Sequence, residues 1–233
     1  MVKTGGRPLR SGVDVDLNGA RMPVAGATGV LGGAPTAEPA RRGTRPALAG
    51  GDPLRPAPAA EAYPGAPTLL FDAFDPASCA RAVHAAAAGL GGLDAVVMLF
   101  GAVVLGRVAE SGDEVAEHLL TGNVLEPAAF FSAAVPVMAP GSVVAEFTGA
   151  VAESPKAGTA DYRASKAAPG AWLGAVRRES RTAGIRVLAP RPSHLDTGFA
   201  DPAVATGADA VEVDAELLRT TPDGTPVVER RAR

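Results

Sequence analysis

Tyr162 and Lys166 stand four residues apart in the segment DYRASKAAPGAW. On a helix that spacing puts both side chains on one face. An ammonium beside a phenol favours the phenolate and so lowers a pKa that is otherwise about 10. A tyrosine tuned in this way can exchange a proton with a carbonyl or an alcohol. A lone pair of this kind is more often a surface pair, so the chemistry needs support from the rest of the chain.

The segment GATGVLGG supplies a second candidate. Gly26, Gly29 and Gly32, with Thr28 and Leu31 between them, separate a short apolar stretch from alanine-rich sequence. Glycines there let the backbone turn tightly and approach a pyrophosphate, which the N–H groups of a following helix would receive. The spacing is GxxGxxG rather than GxGxxG. Methyltransferases and flavin proteins use similar loops, and an ordinary tight turn is a further reading. Asp72 closes the third apolar run. It could accept a hydrogen bond from an adenine amino group or be a solvated loop aspartate. Asp52 lies 20 residues beyond Gly32, where an acidic residue would bind a ribose.

Other chemistries are argued against by composition. The net charge is −3 and the charged residues, 20% of the chain, are not gathered into blocks. No nucleic-acid partner is therefore expected. The single cysteine, Cys79, rules out an intramolecular disulfide and a cysteine-based zinc site. His84, His118 and His194 are scattered without HExxH spacing, so no metal is expected. The first 20 residues lack the apolar core of a secretory signal. Residues 95–106 are apolar but number only 12, and residues 127–145 are interrupted by three prolines and a glycine. A spanning helix needs about 20 mostly apolar residues. No membrane association is expected, and the expected location is cytoplasmic.

The elements that must position these residues alternate along the chain. Strands are expected at 21–25, 46–49, 68–71, 94–99, 142–148 and 185–189. Helices are expected at 75–89, which opens on Asp75-Pro76, at 111–138, and at 162–183 with an interruption at Pro169-Gly170. Five prolines within 52–67 argue for loop there. Strands alternating with helices predict an α/β protein with a parallel sheet of βαβ units.

Taken together, the glycine turn, Asp72, the β-rich segment ending in Thr148-Gly149, the Tyr162–Lys166 pair and RPSHLDTGF follow one order. That order resembles the short-chain dehydrogenase/reductase family over residues 21–199. The resemblance implies a single domain with a doubly wound parallel sheet of Rossmann-like type, preceded by a flexible leader, residues 1–20. Residues 200–233 would form a shortened tail. It also implies NAD or NADP as cofactor and a small-molecule carbonyl or alcohol substrate. A homodimer or homotetramer is expected, built on the helices at 111–138 and 162–183.

By the same resemblance, Gly26 and Gly32 match the first and last glycines of TGxxxGxG. Val30 holds the middle position, with Gly29 one place earlier, and Thr28 and Leu31 belong to the same cofactor loop. Asp72 matches the adenine-binding aspartate. Gly101 is what remains of the NNAG motif. Asn123 matches the helix asparagine that supports a proton-relay water. Tyr162 would be the acid/base, and Lys166 would tune it and bind the nicotinamide ribose. Pro192 and Thr197 match the PGxxxT segment that flanks the nicotinamide. Gly50 and Gly51 stand where the family distinguishes NAD from NADP.

The departures are specific. Gly149 occupies the place of the catalytic serine, 13 residues before Tyr162. Thr148 is the substitute hydroxyl, although a one-residue shift on a strand reverses its face unless the chain bulges. Pro23 falls within a strand, Pro35 and Pro39 fall where the resemblance implies a first helix after the glycine turn, and Pro169 falls within the helix expected at 162–183; an interior proline costs a helix about 3 kcal/mol or more. A nucleotide-binding protein without turnover, on the same fold, is the alternative reading. A methyltransferase would explain only the glycine turn.

Overall fold

The central strands are almost wholly apolar, which suits a parallel sheet covered on both faces. In the computed structural model the described residues are 17–29, 42–51, 63–153 and 156–191. They contain β1 (Arg21–Ala25), β2 (Arg45–Gly50), β3 (Thr68–Leu70), β4 (Leu93–Met98), β5 (Met138–Glu146) and β6 (Arg186–Leu188). The strands form one sheet of six in the order β3-β2-β1-β4-β5-β6, and every neighbouring pair is parallel. The order reverses between β1 and β4. Chains leaving those two strands diverge, and the crevice between them at the carboxyl edge is where such sheets bind ligands.

Pro23 is accommodated inside β1 by the register. The Arg21 N–H bonds the Asp94 carboxylate and the Ala25 carbonyl accepts from Leu99, so odd-numbered residues of β1 face β4. Pro23 therefore turns its missing N–H towards β4. Pairing with β4 begins only at Val24. The Arg21 guanidinium also grips Asp94 through two hydrogen bonds of 2.8 and 2.7 Å, which ties the amino ends of β1 and β4 together.

Helix α1 (Pro76–Leu90) begins as the sequence predicts, with the Asp75 side chain accepting from the Ala77 amide at 2.9 Å. The expected helix at 111–138 is in fact four pieces. These are α2 (Asp113–Leu120), a π-turn (Thr121–Leu125), α3 (Glu126–Ala134) and a 3-10 turn (Val135–Val137). In the π-turn the Glu126 N–H reaches back to the Thr121 carbonyl, five residues away.

Helix α4 (Ala160–Ser180) corrects a second expectation, because it runs through Pro169-Gly170 without a break. Pro169 withholds one N–H from the Ser165 carbonyl. Its ring is buried on the same face as Leu173 and Val176. Burial of that face on the sheet holds both halves of the helix in line.

Two apolar clusters flank the sheet. The larger gathers Val96, Met98 and Val144 with Val83 of α1, Phe130 of α3 and Leu173 of α4. The smaller, on the opposite face, includes Met22, Val24, Leu48 and Tyr63. Pro35, Pro39 and the first expected helix lie outside the described residues. Residues 95–106 are β4 and the loop after it, and 127–145 are divided between α3, the 3-10 turn and β5. No helix among the described residues is long and apolar enough to cross a membrane.

Candidate active site

At the carboxyl end of β1 the chain turns back at Gly26, whose φ is +87°. A Cβ there would stand 2.8 Å from the Phe100 amide nitrogen and 2.9 Å from the Leu99 carbonyl carbon. Glycine at 26 thus lets this turn lie directly on the chain leaving β4. The Gly29 N–H closes the turn onto the Gly26 carbonyl at 3.0 Å. Thr28 lies over the end of β2: its Oγ1 occupies space 2.6 Å from where a Cβ of Gly50 would be. Leu31, Gly32 and Asp52 lie outside the described residues, as do Pro192 and Thr197.

Asp72 follows β3, on the far side of β2 from β1. It is exposed, and its Oδ1 accepts from the Phe74 amide at 2.9 Å, an Asx turn leading into α1.

The tightest gathering of candidate residues is at the carboxyl end of β4. The loop there brings Gly101 against two side chains. A Cβ on Gly101 would be 2.5 Å from Asn123 Oδ1 and 2.8 Å from Lys166 Nζ. Asn123 is carried by the π-turn and is 2% exposed. Its Oδ1 accepts from the Ala102 N–H at 2.9 Å. Its Nδ2 donates to the Ala102 carbonyl and to Ser165 Oγ, each at 2.9 Å. Ser165 Oγ in turn donates to the Tyr162 carbonyl at 2.8 Å. Both hydrogens of the Asn123 amide are therefore committed to protein partners. It clamps the post-β4 loop to α4, and it has no side-chain hydrogen left for a water relay.

Lys166 and Tyr162 share a face of α4, as their spacing predicts. Lys166 is buried and makes no hydrogen bond to any described residue. Burial pulls its pKa down to about 8, with Glu146 acting in the opposite direction. Tyr162 packs beside Ala102, Val104, Val115 and Leu119. Burial pushes its phenol up to about 12. This reverses the expected direction. The ring leans into an apolar cluster, and the Lys166 charge has no resolved effect on it.

Thr148 lies beyond the end of β5, so strand alternation no longer decides its direction. Its N–H and its hydroxyl both point to the Pro190 carbonyl, at 3.1 and 3.4 Å. The hydroxyl is directed to the chain after β6, and no hydrogen bond joins it to Tyr162. At Gly149 a side chain would have room, the nearest atom being Val151 Cγ1 at 3.9 Å, but φ is +147°. The sequence reading missed Glu146, which is 4% exposed at the carboxyl end of β5. A single acid inside SVVAEFT was the available signal.

The residues present suit a dinucleotide in two respects. A glycine turn sits at the sheet's switch point, and a buried ammonium with uncommitted N–H donors stands at the neighbouring strand end.

A family model described as enoyl-(acyl carrier protein) reductase matches residues 36–226. That span begins after the glycine turn and runs beyond Phe199. A short-chain dehydrogenase from Burkholderia cenocepacia, solved in complex with NADP, is similar at a TM-score of 0.73 and 26% identity, over 86% of this chain and 82% of its own. A short-chain dehydrogenase/reductase from Serratia marcescens gives 0.69 and 27%, over 78% and 77%. A dehydrogenase/reductase from Sinorhizobium meliloti, at 22% identity over 91% and 84%, shares the fold with a TM-score of 0.72. No curated protein matches the chain at a significant level.

Proposed function

The chain belongs to the short-chain dehydrogenase/reductase family, and from that premise we propose that it is an NAD(P)-dependent oxidoreductase acting on a small carbonyl or secondary-alcohol substrate. The observation that carries this reading is the convergence of Lys166 and Asn123 on Gly101, one helical turn from Tyr162. NAD or NADP would supply hydride transfer at the nicotinamide. The solved Burkholderia relative holds NADP, which supports the assignment.

Each residue has a distinct part. The turn at Gly26, Thr28 and Gly29 would bring the main chain close to the pyrophosphate, with the cofactor loop continuing into Leu31 and Gly32; the Gly26 and Gly29 N–H groups are themselves bonded within the protein. Asp72 addresses the adenine end, and Pro192 and Thr197 flank the nicotinamide. Lys166 holds the ribose through its unengaged ammonium. Tyr162, with a phenol pushed up to about 12, is protonated at neutral pH. In the reductive direction it would donate a proton to the developing alkoxide. Asn123 positions rather than relays through its side chain.

We propose a homodimer or homotetramer. Leu120 and Leu125 are 43% and 56% exposed along the α2–α3 segment. A shallow depression over Gly174 and Ala175 marks the outer face of α4. Light scattering at micromolar concentration checks this, and a monomer overturns it.

A binding protein without turnover is the second reading. It is favoured by Gly149 at the serine position and by the Thr148 hydroxyl turning to Pro190. One experiment separates the two. NADH and NADPH are titrated by fluorescence, and turnover is then followed on aldehydes, ketones and an enoyl thioester. Binding with turnover establishes the enzyme. Binding with no turnover on any of them establishes the second reading, and failure of both nucleotides to bind overturns both.

A further inference from the structure

Glu146 is the last residue of β5. Strand alternation puts its side chain on the same face as Val144, which packs in one cluster with Leu173 and Val176 of α4. Lys166 lies further towards the amino end of α4 on that same buried face. The carboxyl end of β5 thus carries an acid beneath the helix that carries the base. Glu146 is 4% exposed and Lys166 is 7% exposed. The Glu146 Oε2 is buried and has no hydrogen-bond partner among the described residues.

Among the described residues nothing else nearby competes for either charge. Among the described residues, Lys166 is the single charged group with a resolved effect on Glu146, and Glu146 the single one with a resolved effect on Lys166. The paired residue of β4 is Met98, β6 brings Leu188 beside Ala145, and the π-turn brings the neutral Asn123. On the same turn of α4, Tyr162 is shifted by burial alone, and neither Asp161 nor Arg163 has a resolved effect on Glu146 or Lys166, although the Arg163 Nε is buried without a described partner.

We propose that Glu146 is a positioning residue of this site, the buried counter-ion that holds Lys166 in its ammonium form beside Gly101. The proposal rests on the reading of Lys166 as the cation of the active site. Burial alone drives both groups towards their neutral forms, and each opposes that drive in the other. Glu146 is pushed up to about 7 and Lys166 pulled down to about 8. Both groups are thereby brought close to neutrality, each biased by the charge of the other. Without the carboxylate, the amine loses its proton at lower pH, and with it the charge that binds a ribose and faces the substrate.

The test reads the lysine directly. The chain has only three lysines, Lys3, Lys156 and Lys166, so protein labelled with [ε-13C]lysine gives three NMR signals, and Lys166 is identified by its loss in Lys166→Arg. In wild type the Lys166 signal titrates below the normal lysine range and shows a second inflection as Glu146 ionises. In Glu146→Gln its midpoint falls further, by roughly one unit. An unchanged midpoint in folded Glu146→Gln overturns the proposal.

Linkage supplies a second variant should Glu146→Gln fail to fold. Lys166→Met must raise the Glu146 midpoint, read from 13C-labelled glutamate carboxyls, by the same amount. An unmoved Glu146 signal overturns the proposal. Titration with NADPH on the same samples tests the cofactor reading separately. Coupled midpoints without nucleotide binding retain the pair and remove the dehydrogenase, whereas binding without coupling does the reverse.

Discussion

Gly101 and Lys166 approach so closely that one methyl group could not stand between them. A Cβ at 101 would lie 2.8 Å from the Lys166 Nζ and 2.5 Å from Asn123 Oδ1. Lys166 could swing aside, but Asn123 is held by three hydrogen bonds. Gly101→Ala is therefore expected to lose about 1–3 kcal/mol of stability and to weaken NADPH binding. Urea unfolding and fluorescence titration check the two effects, and a variant matching wild type in both would show that the loop simply relaxes.

Asn123→Leu should be among the most destabilising single changes at the site. It strands the Ala102 N–H and carbonyl and removes the partner of Ser165 Oγ. A buried unsatisfied group costs about 1–3 kcal/mol. A loss of that size or larger is expected in urea. A near-neutral Asn123→Leu would show that the Asn123 clamp does not hold the loop to α4.

Tyr162→Phe keeps the ring and its packing and removes the hydroxyl. Turnover should fall by about 10²–10⁴-fold, with nucleotide affinity retained. Lys166→Ala should lose both. Equal turnover in wild type and Tyr162→Phe would remove Tyr162 from the chemistry.

The missing hydroxyl gives a paired test. Thr148→Val should have little effect on turnover, since that hydroxyl points to Pro190. Gly149→Ser has space for its side chain but sits at φ +147°, a strain of about 1–3 kcal/mol. It should raise carbonyl turnover while lowering stability. A large loss in Thr148→Val, with no gain in Gly149→Ser, would return the serine's role to Thr148.

Glu126 predicts a pH effect on stability. Its carboxyl is 0% exposed, Oε1 has no partner among the described residues, and Oε2 accepts from the Cys79 thiol at 3.0 Å. Burial raises its pKa. A raised folded pKa gives stability that is full below the unfolded value of about 4.3 and is lost as pH rises through the folded one. Glu126→Gln should therefore be more stable than wild type at pH 7, with the gain shrinking towards pH 4. A gain independent of pH would mean that Glu126 does not titrate on unfolding.

The glycine turn carries a further consequence. A side chain at Gly26 strikes Phe100 and Leu99 backbone, so Gly26→Val is expected to disturb the fold itself rather than nucleotide affinity alone. Retention of a native far-UV spectrum with reduced NADPH affinity would show the opposite.

The sequence by itself determined the βαβ alternation, the start of α1 at Asp75-Pro76, and the helical face shared by Tyr162 and Lys166. Those features depend on local periodicity and capping, which a few neighbouring residues specify. It also carried the departure at Gly149, since position relative to Tyr162 is a matter of counting. Only the tertiary structure decided the rest. Pro169 reads as a breaker until the buried face of α4 is seen on the sheet. The helix at 111–138 reads as one element until the π-turn aims Asn123 at Ala102. Thr148 reads as a residue of β5 until the strand ends at Glu146 and the hydroxyl meets Pro190. The Tyr162 phenol reads as lowered by its lysine until its ring is found in an apolar cluster. Each reversal depends on contacts between residues distant in the chain, where burial outweighs local preference, and none of those distances is written in residue spacing.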